Sequence, residues 1–276
     1  MGAFQVVVMC EKPSQARTFA SAFNLNKTER KNGYPVAYYD RDGGMCVVHL
    51  SGHLLELEEP KYYEPSLGNG WNMDCLPVLP PGERWKLTPK KAPNRKEQGR
   101  INALVAGIKW AMVDCGDPGE IAIAVDNDKE GELLGWEMLE YFKLIGHKNL
   151  TRLLYSQVHE DAMRKAFDER FNAGEMYTRY LSGLARLYGD WMFGMNVTMG
   201  LTLRNSEMIP PNTALNSGRV IYSISYLIFL RDQKIKNYVP RDFYNEIVSF
   251  QSVDGAGFEG KLIYPEQAME EHDDEK

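Results

Sequence analysis

Three short apolar runs punctuate the first 156 residues, and polar residues stop each of them. FQVVVMC at 4–10 and EIAIAVD at 120–126 are continuous rather than alternating, as expected of strands covered on both faces. LTRLLYS at 150–156 predicts a third short strand. Between them the period lengthens. SQARTFASAF, started by Pro13 or Ser14, then INALVAGIKWAMVD at 101–114 and EGELLGWEMLEYFKLIG at 130–146 all carry helical spacing, the last ending at a glycine. Segments 34–40 and 45–50 predict a hairpin across DRDGG. The stretch 60–100 is rich in Pro, Gly and Trp and has little periodicity. Strands alternating with helices predict an α/β domain, a parallel sheet flanked by helices, over residues 1–155.

The pattern changes near residue 156. Helical spacing dominates through LSGLARLYGDWMFGMNVTMGLTLRN, predicting a mainly helical domain over 156–217. After Pro210-Pro211, GRVIYSISYLIFLRDQKIKNY at 218–238 is helical again. DFYNEIVSFQ and GFEGKLIYP then predict two paired strands, so that 218–265 reads as the start of a β-rich region. No internal repeat is visible.

Composition changes this picture little. The chain has 276 residues with 43% hydrophobic and 25% charged content, ordinary for a globular protein with a sizeable core. No stretch is apolar enough to span a membrane, the N-terminus lacks the pattern of a signal peptide, and a cytoplasmic location is expected. Cys10, Cys46, Cys75 and Cys115 form no C-x-x-C pair, so they read as small buried hydrophobes rather than zinc ligands. The net charge of −6 hides a strong polarity. Segment 84–100 carries seven Lys or Arg against one acid, and the tail 266–276 carries six acids. The basic segment reads either as phosphate-contacting or as a plain solvated loop. The tail reads as disordered.

The charge that matters sits at strand ends. Ligands of open parallel sheets gather at the carboxyl ends of strands, and here those ends carry Glu11 and Asp126. Asp128 follows two residues on, and Glu130 opens the next helix. Carboxylates that face one point repel one another, and a hard divalent cation such as Mg²⁺ relieves this. The same acids also suit a helix N-terminus as a dipole cap, so both readings stand at this point.

EKPSQAR at the start, GHLLEL at 52–57, DNDKEGELL at 126–134 and SGRV at 217–220 together resemble the type IA DNA topoisomerases, most closely topoisomerase III. The first and third match the Toprim pattern of one Glu after a first strand and D-x-D after a later one. LARLYGDWMFGMNVTMGLT is similar to the family's helical R-x-x-x-D-W-x-x-G-x-N-x-T segment. The resemblance runs in order along nearly the whole chain. It implies a Toprim domain, a helical single-strand-binding domain and the start of an arch-like region. It also implies Mg²⁺ held by Asp126, Asp128 and Glu130. Glu11 would assist proton transfer at the scissile phosphate, and Lys12 would contact that phosphate. Arg186, Thr198, Ser217 and Arg219 would approach single-stranded DNA. The bland alternative for Arg186 and Asp190 is an i, i+4 ion pair. Trp191, Phe193, Tyr222 and Tyr226 read as core residues.

Departures from the family pattern bear on function. The usual G-R-V-Q-T/S-P becomes Gly218-Arg219-Val220-Ile221-Tyr222-Ser223, and Met199 stands where an Arg follows N-x-T. No P-R-T-D/E-S-like context of the nucleophilic tyrosine occurs. The expectation is therefore the N-terminal part of a type IA enzyme, an isomerase whose strand-cutting tyrosine lies in a C-terminal region that would be its partner. Two alternatives stay open: a module that binds single-stranded DNA or a partner protein, and a Toprim nuclease dependent on a metal.

Overall fold

The computed structural model describes residues 2–40, 44–80, 82, 85–240 and 246–261. These form two compact units, residues 1–222 and 223–276. In chain order the elements are β1 (Val6–Cys10), α1 (Pro13–Ala22), β2 (Lys27–Lys31), β3 (Tyr34–Tyr39), β4 (Met45–His49), β5 (Leu55–Leu57), α2 (Pro60–Tyr63), β6 (Leu87–Pro89), α3 (Arg95–Lys109), β7 (Glu120–Ala124), α4 (Lys129–Tyr141), β8 (Leu150–Arg152), α5 (Glu160–Asp168), β9 (Phe171–Asn172), α6 (Tyr177–Arg204), α7 (Arg219–Lys236), β10 (Ile247–Gln251) and β11 (Gly257–Lys261).

In the first unit a seven-stranded sheet runs β2-β3-β4-β1-β7-β8-β9. Its centre, β4-β1-β7-β8, is parallel. Both edges are antiparallel: β2 and β3 on one side, β9 on the other. The sheet is thus mixed where the sequence predicts a parallel one. The outermost strands β2 and β9 carry no apolar pattern, because KTERK is polar and FN is only two residues long.

The central runs are continuous because each face is covered by helices. Val7 and Met9 of β1 and Ile121 and Ile123 of β7 pack into the larger core, which also takes in α3, α4 and Tyr180 at the start of α6. Val8 and Cys10, with Ala122 and Ala124, face the smaller core with Phe19 of α1 and Met163 of α5. Alanines on that face leave room for α1 and α5. Burial raises the pKa of the Cys10 thiol well above the ordinary range, as a buried inert cysteine should behave.

Helix α3 starts at Arg95, six residues before the predicted start, capped by Asn94 Oδ1 accepting from Glu97 N at 2.9 Å. It ends in a π-turn over Trp110–Asp114. The aperiodic stretch before it is tied down by aromatics. Trp85 stacks on Tyr188 of α6 at 4.1 Å between ring centroids, and Trp191 Nε1 donates to the Glu58 carbonyl at 3.1 Å. The predicted hairpin is present as β3 and β4, with residues 41–43 of its turn outside the described residues. The second unit holds the β10–β11 antiparallel pair, as its sequence predicts. The acidic tail 266–276 lies outside the described residues. No helix among the described residues is long and apolar enough to cross a membrane.

Candidate nucleic-acid and metal site

Strand order decides where the site lies. From β1 the chain passes to β4 on one side and later to β7 on the other, so the crevice at the end of β1 is a switch point of the topology. Three adjacent parallel strands deliver polar residues there: Glu11 and Lys12 after β1, Ser51 and His53 after β4, and Asp126 after β7.

Glu11, Lys12 and Asp126 are in contact. The Lys12 ammonium lies 2.5 Å from Asp126 Oδ2 and 3.4 Å from Glu11 Oε1. Gln15 Nε2 donates to Asp126 Oδ1 at 2.6 Å, and Asp126 N donates to Glu11 Oε2 at 3.1 Å. Lys12 is the N-cap of α1, and its own N–H donates to Gln15 Oε1 at 2.8 Å, so its backbone is fixed while its side chain is half exposed. The hydrogen bond to Asp126 holds the Lys12 pKa above its ordinary value. Burial pushes the Asp126 carboxyl up, but bonds from Lys12 and Gln15 outweigh this and hold it below its ordinary value.

Asp128 and Glu130 have other partners. Asp128 caps α4, its Oδ1 accepting from Gly131 N at 2.7 Å. Residue 131 must be glycine, because a Cβ there would collide with the Asp126 carbonyl. Glu130 Oε1 meets His53 Nε2 at 2.5 Å, and His53 Nδ1 lies 4.0 Å from Glu137 Oε2. Glu137 is buried on α4. Its carboxyl pKa is raised to about 8, by desolvation first and then by Glu140 and Glu130. Among the described residues no cluster of three or more His, Cys, Asp or Glu side chains is gathered at metal-binding distance. Both readings of the acids therefore leave a trace: Asp128 is a cap, while Glu11 and Asp126 share a cation, which is Lys12.

A buried arginine shapes the loop. Arg152, at the end of β8, has no exposed surface. Its Nε donates to Glu132 Oε1 at 2.8 Å, and its Nη atoms donate to the carbonyls of Val125 and Asp126, both at 2.9 Å. It supplies donors to the carbonyls that follow β7.

Helix α6 leads away from this loop. Arg179 Nη1 donates to Asn127 Oδ1 at 2.5 Å. A Cβ on Gly183 would lie 3.0 Å from the Lys129 carbonyl, so the glycine lets α6 ride close over the start of α4. Further along, the four expected DNA-contacting residues form two linked pairs. Asp190 accepts from Arg219 Nη2 at 3.0 Å and lies 3.5 Å from Arg186 Nε. Thr198 Oγ1 accepts from Ser217 N at 2.9 Å and donates to the Ser217 carbonyl at 3.2 Å. The i, i+4 pairing of Arg186 with Asp190 is thus present, and Arg219 joins it. Trp191 is buried as expected. Tyr222 and Tyr226 are about half exposed, contrary to the core reading, because α7 carries apolar side chains all round and among the described residues turns them outward. Tyr222 meets Phe193 edge-on at 6.2 Å.

Three of the six described cations of the basic segment 84–100 are paired with acids. Lys91 pairs with Glu59, Lys86 lies 3.9 Å from Glu58, and Arg100 Nη2 lies 2.6 Å from Glu97. Arg84 lies outside the described residues. Gln15, His53, Arg152 and Arg179 were not singled out from sequence. The signal available for His53 was its place in GHLLEL after a strand that neighbours β1.

The Toprim domain family matches residues 6–158, the span that holds six of the seven strands of the sheet and the acidic loop. The chain belongs to the Toprim domain family. It is 30% identical over 273 residues to DNA topoisomerase 3 of Salmonella typhimurium, covering 97% of this chain and 38% of that protein. It is 33% identical over 240 residues to DNA topoisomerase 3 of Bacillus cereus, covering 86% of this chain and 29% of that protein. In fold it is similar to full-length topoisomerase I from Thermotoga maritima, with a TM-score of 0.54, 20% identity, and coverage of 96% of this chain and 37% of that one. The sequence resemblance to the type IA topoisomerases is borne out. This Toprim chain spans about a third of the length of the relatives it matches.

Proposed function

We propose that this chain supplies the acidic centre and the single-stranded DNA groove of a type IA topoisomerase activity, with the nucleophilic tyrosine contributed by a further C-terminal region. The observation that carries this reading is the meeting of Glu11, Lys12 and Asp126 across the ends of β1 and β7. The oxygen donors suit Mg²⁺, which needs only one or two carboxylates and otherwise keeps its water. A cation already lies between Glu11 and Asp126 in the form of the Lys12 ammonium, so the electrostatics there favour positive charge. Asp126, Asp128 and Glu130 would hold the ion, which would supply charge neutralisation at a phosphodiester. Lys12 would bind the same phosphate through its half-exposed ammonium. Glu11, beside it, would hold the proton exchanged with the departing 3′-oxygen. Arg186, Arg219, Thr198 and Ser217 would orient the strand along α6.

The test mixes the chain with labelled single-stranded DNA and Mg²⁺, then denatures with detergent. The expected result is DNA binding that weakens with salt, with neither cutting nor an adduct. Cutting without an adduct, lost in Asp126→Asn, would replace this reading with a nuclease. A detergent-stable adduct would show that a tyrosine of this chain is the nucleophile.

A further inference from the structure

Lys12 does more in this structure than wait for a phosphate. Its ammonium bridges Asp126 Oδ2 and Glu11 Oε1, at 2.5 and 3.4 Å. The remaining oxygens are also engaged: Asp126 Oδ1 by Gln15 Nε2 at 2.6 Å, and Glu11 Oε2 by the Asp126 N–H at 3.1 Å. Each carboxylate oxygen of the two acids nearest the end of β1 therefore already faces a donor from the protein itself. A divalent ion on Asp126 Oδ2 and an ammonium 2.5 Å from the same oxygen oppose each other, since the two cations repel at that distance. The side chain of Lys12 is 52% exposed, against 13% for Glu11 and 33% for Asp126. Lys12 alone of the three can leave into solvent, while its backbone stays fixed as the cap of α1.

We propose that Lys12 is an exchangeable internal counter-ion that couples metal binding to phosphate binding. Without nucleic acid it occupies the Glu11–Asp126 pair and weakens cation binding there. A phosphodiester of a single strand draws the ammonium outward, and the freed Asp126 carboxylate joins Asp128 and Glu130 in taking the divalent ion. Coupling of this kind is reciprocal: the metal must strengthen strand binding by the same factor by which the strand strengthens metal binding. The inference rests on the acidic loop being a metal site.

Mn²⁺ is the probe, with free ion counted by electron paramagnetic resonance, on the whole chain with and without a short oligothymidylate. Wild type is compared with Lys12→Met, Lys129→Met and Asp126→Asn. Lys129 is the exposed first residue of α4, beside the acidic loop, and controls for the loss of one charge. The expected result without DNA is tighter Mn²⁺ binding by Lys12→Met, about tenfold, and a much smaller gain for Lys129→Met. The oligonucleotide should tighten Mn²⁺ binding to wild type several-fold and change Lys12→Met little. Equal affinities for the two lysine variants, or a wild type indifferent to the oligonucleotide, would overturn the coupling. If Asp126→Asn binds Mn²⁺ as wild type does, the metal site itself is wrong and the coupling falls with it.

Discussion

Asp190 on α6 and Arg219 at the start of α7 are joined side chain to side chain, with Arg219 Nη2 donating to Asp190 Oδ2 at 3.0 Å. Asp190 also lies 3.5 Å from Arg186, so one carboxylate serves two arginines expected to face a DNA backbone. The bond from Arg219 holds the Asp190 pKa below its ordinary value and raises that of Arg219. Asp190 is therefore ionised at neutral pH and draws on charge that a phosphate would otherwise receive.

Arg219→Ala is expected to weaken single-stranded DNA binding by about tenfold at low salt, the scale of one charged hydrogen bond. The slope of log affinity against log salt should fall by roughly one. Asp190→Asn should do the opposite and tighten binding a few-fold, because two arginines lose a competing carboxylate. Fluorescence anisotropy across a salt series reads both. A loss in Asp190→Asn equal to that in Arg219→Ala would mean that Asp190 holds Arg219 in place instead of competing with DNA for it.

Asp128 separates the cap from the metal. Asn is as good an N-cap as Asp, so Asp128→Asn should keep the bond to Gly131 N and leave stability nearly unchanged. Asp128→Ala loses that bond and should cost about 1 kcal/mol. Both should weaken Mg²⁺ binding if the carboxylate is a ligand. Urea unfolding and calorimetry with Mg²⁺ distinguish the two roles, and an Asn variant that binds Mg²⁺ like wild type leaves Asp128 as a cap alone.

The two central strands were legible because burial on both faces imposes a continuous apolar run, and the acids that stop those runs marked the site. The partners of those acids were not legible. Lys12 and Asp126 are 114 residues apart, and only the order β4-β1-β7 brings them together. Arg152 was hidden for a different reason. Inside LTRLLYS it looks like an interruption of an apolar strand, and its burial depends on Glu132 and on carbonyls that no periodicity displays. The start of α3 is not legible because RKEQGR contains no apolar side chain, so hydrophobic spacing carries no signal there. Tyr222 and Tyr226 misled because an apolar helix argues for burial without saying what covers it.

Arg152 and Glu132 form an ion pair with no exposed side-chain surface on either partner. Arg152→Met should destabilise the first unit by about 3–5 kcal/mol, because it leaves a buried carboxylate uncompensated and several carbonyls without donors. Replacing Glu132 as well, in Arg152→Met with Glu132→Leu, should recover a large part of the loss. Urea midpoints of the single and double variants form the cycle. A double variant no more stable than Arg152→Met would assign the whole cost to the carbonyls at the end of β7, not to the stranded charge.

Glu137 sets a pH dependence of opposite sign to that of the usual carboxylate. Its pKa in the folded chain is about 8, raised by burial and then by Glu140 and Glu130 from an ordinary 4.5. Between those values the folded state holds a proton that the unfolded state has released, so stability falls as pH rises through this window. Below 4.5 both states are protonated and the effect vanishes. Glu137→Gln removes the titrating group and keeps the shape. The variant should match wild type near pH 4.5 and gain on it steadily up to pH 8, at roughly 1.4 kcal/mol for each tenfold difference in proton affinity, discounted for relaxation of the site. Thermal unfolding of both proteins from pH 4.5 to 8.5 measures the gap. A gap that stays constant across this range would mean that Glu137 ionises as easily in the folded chain as in the unfolded one, with the imidazole of His53, 4.0 Å away, as the group that compensates it.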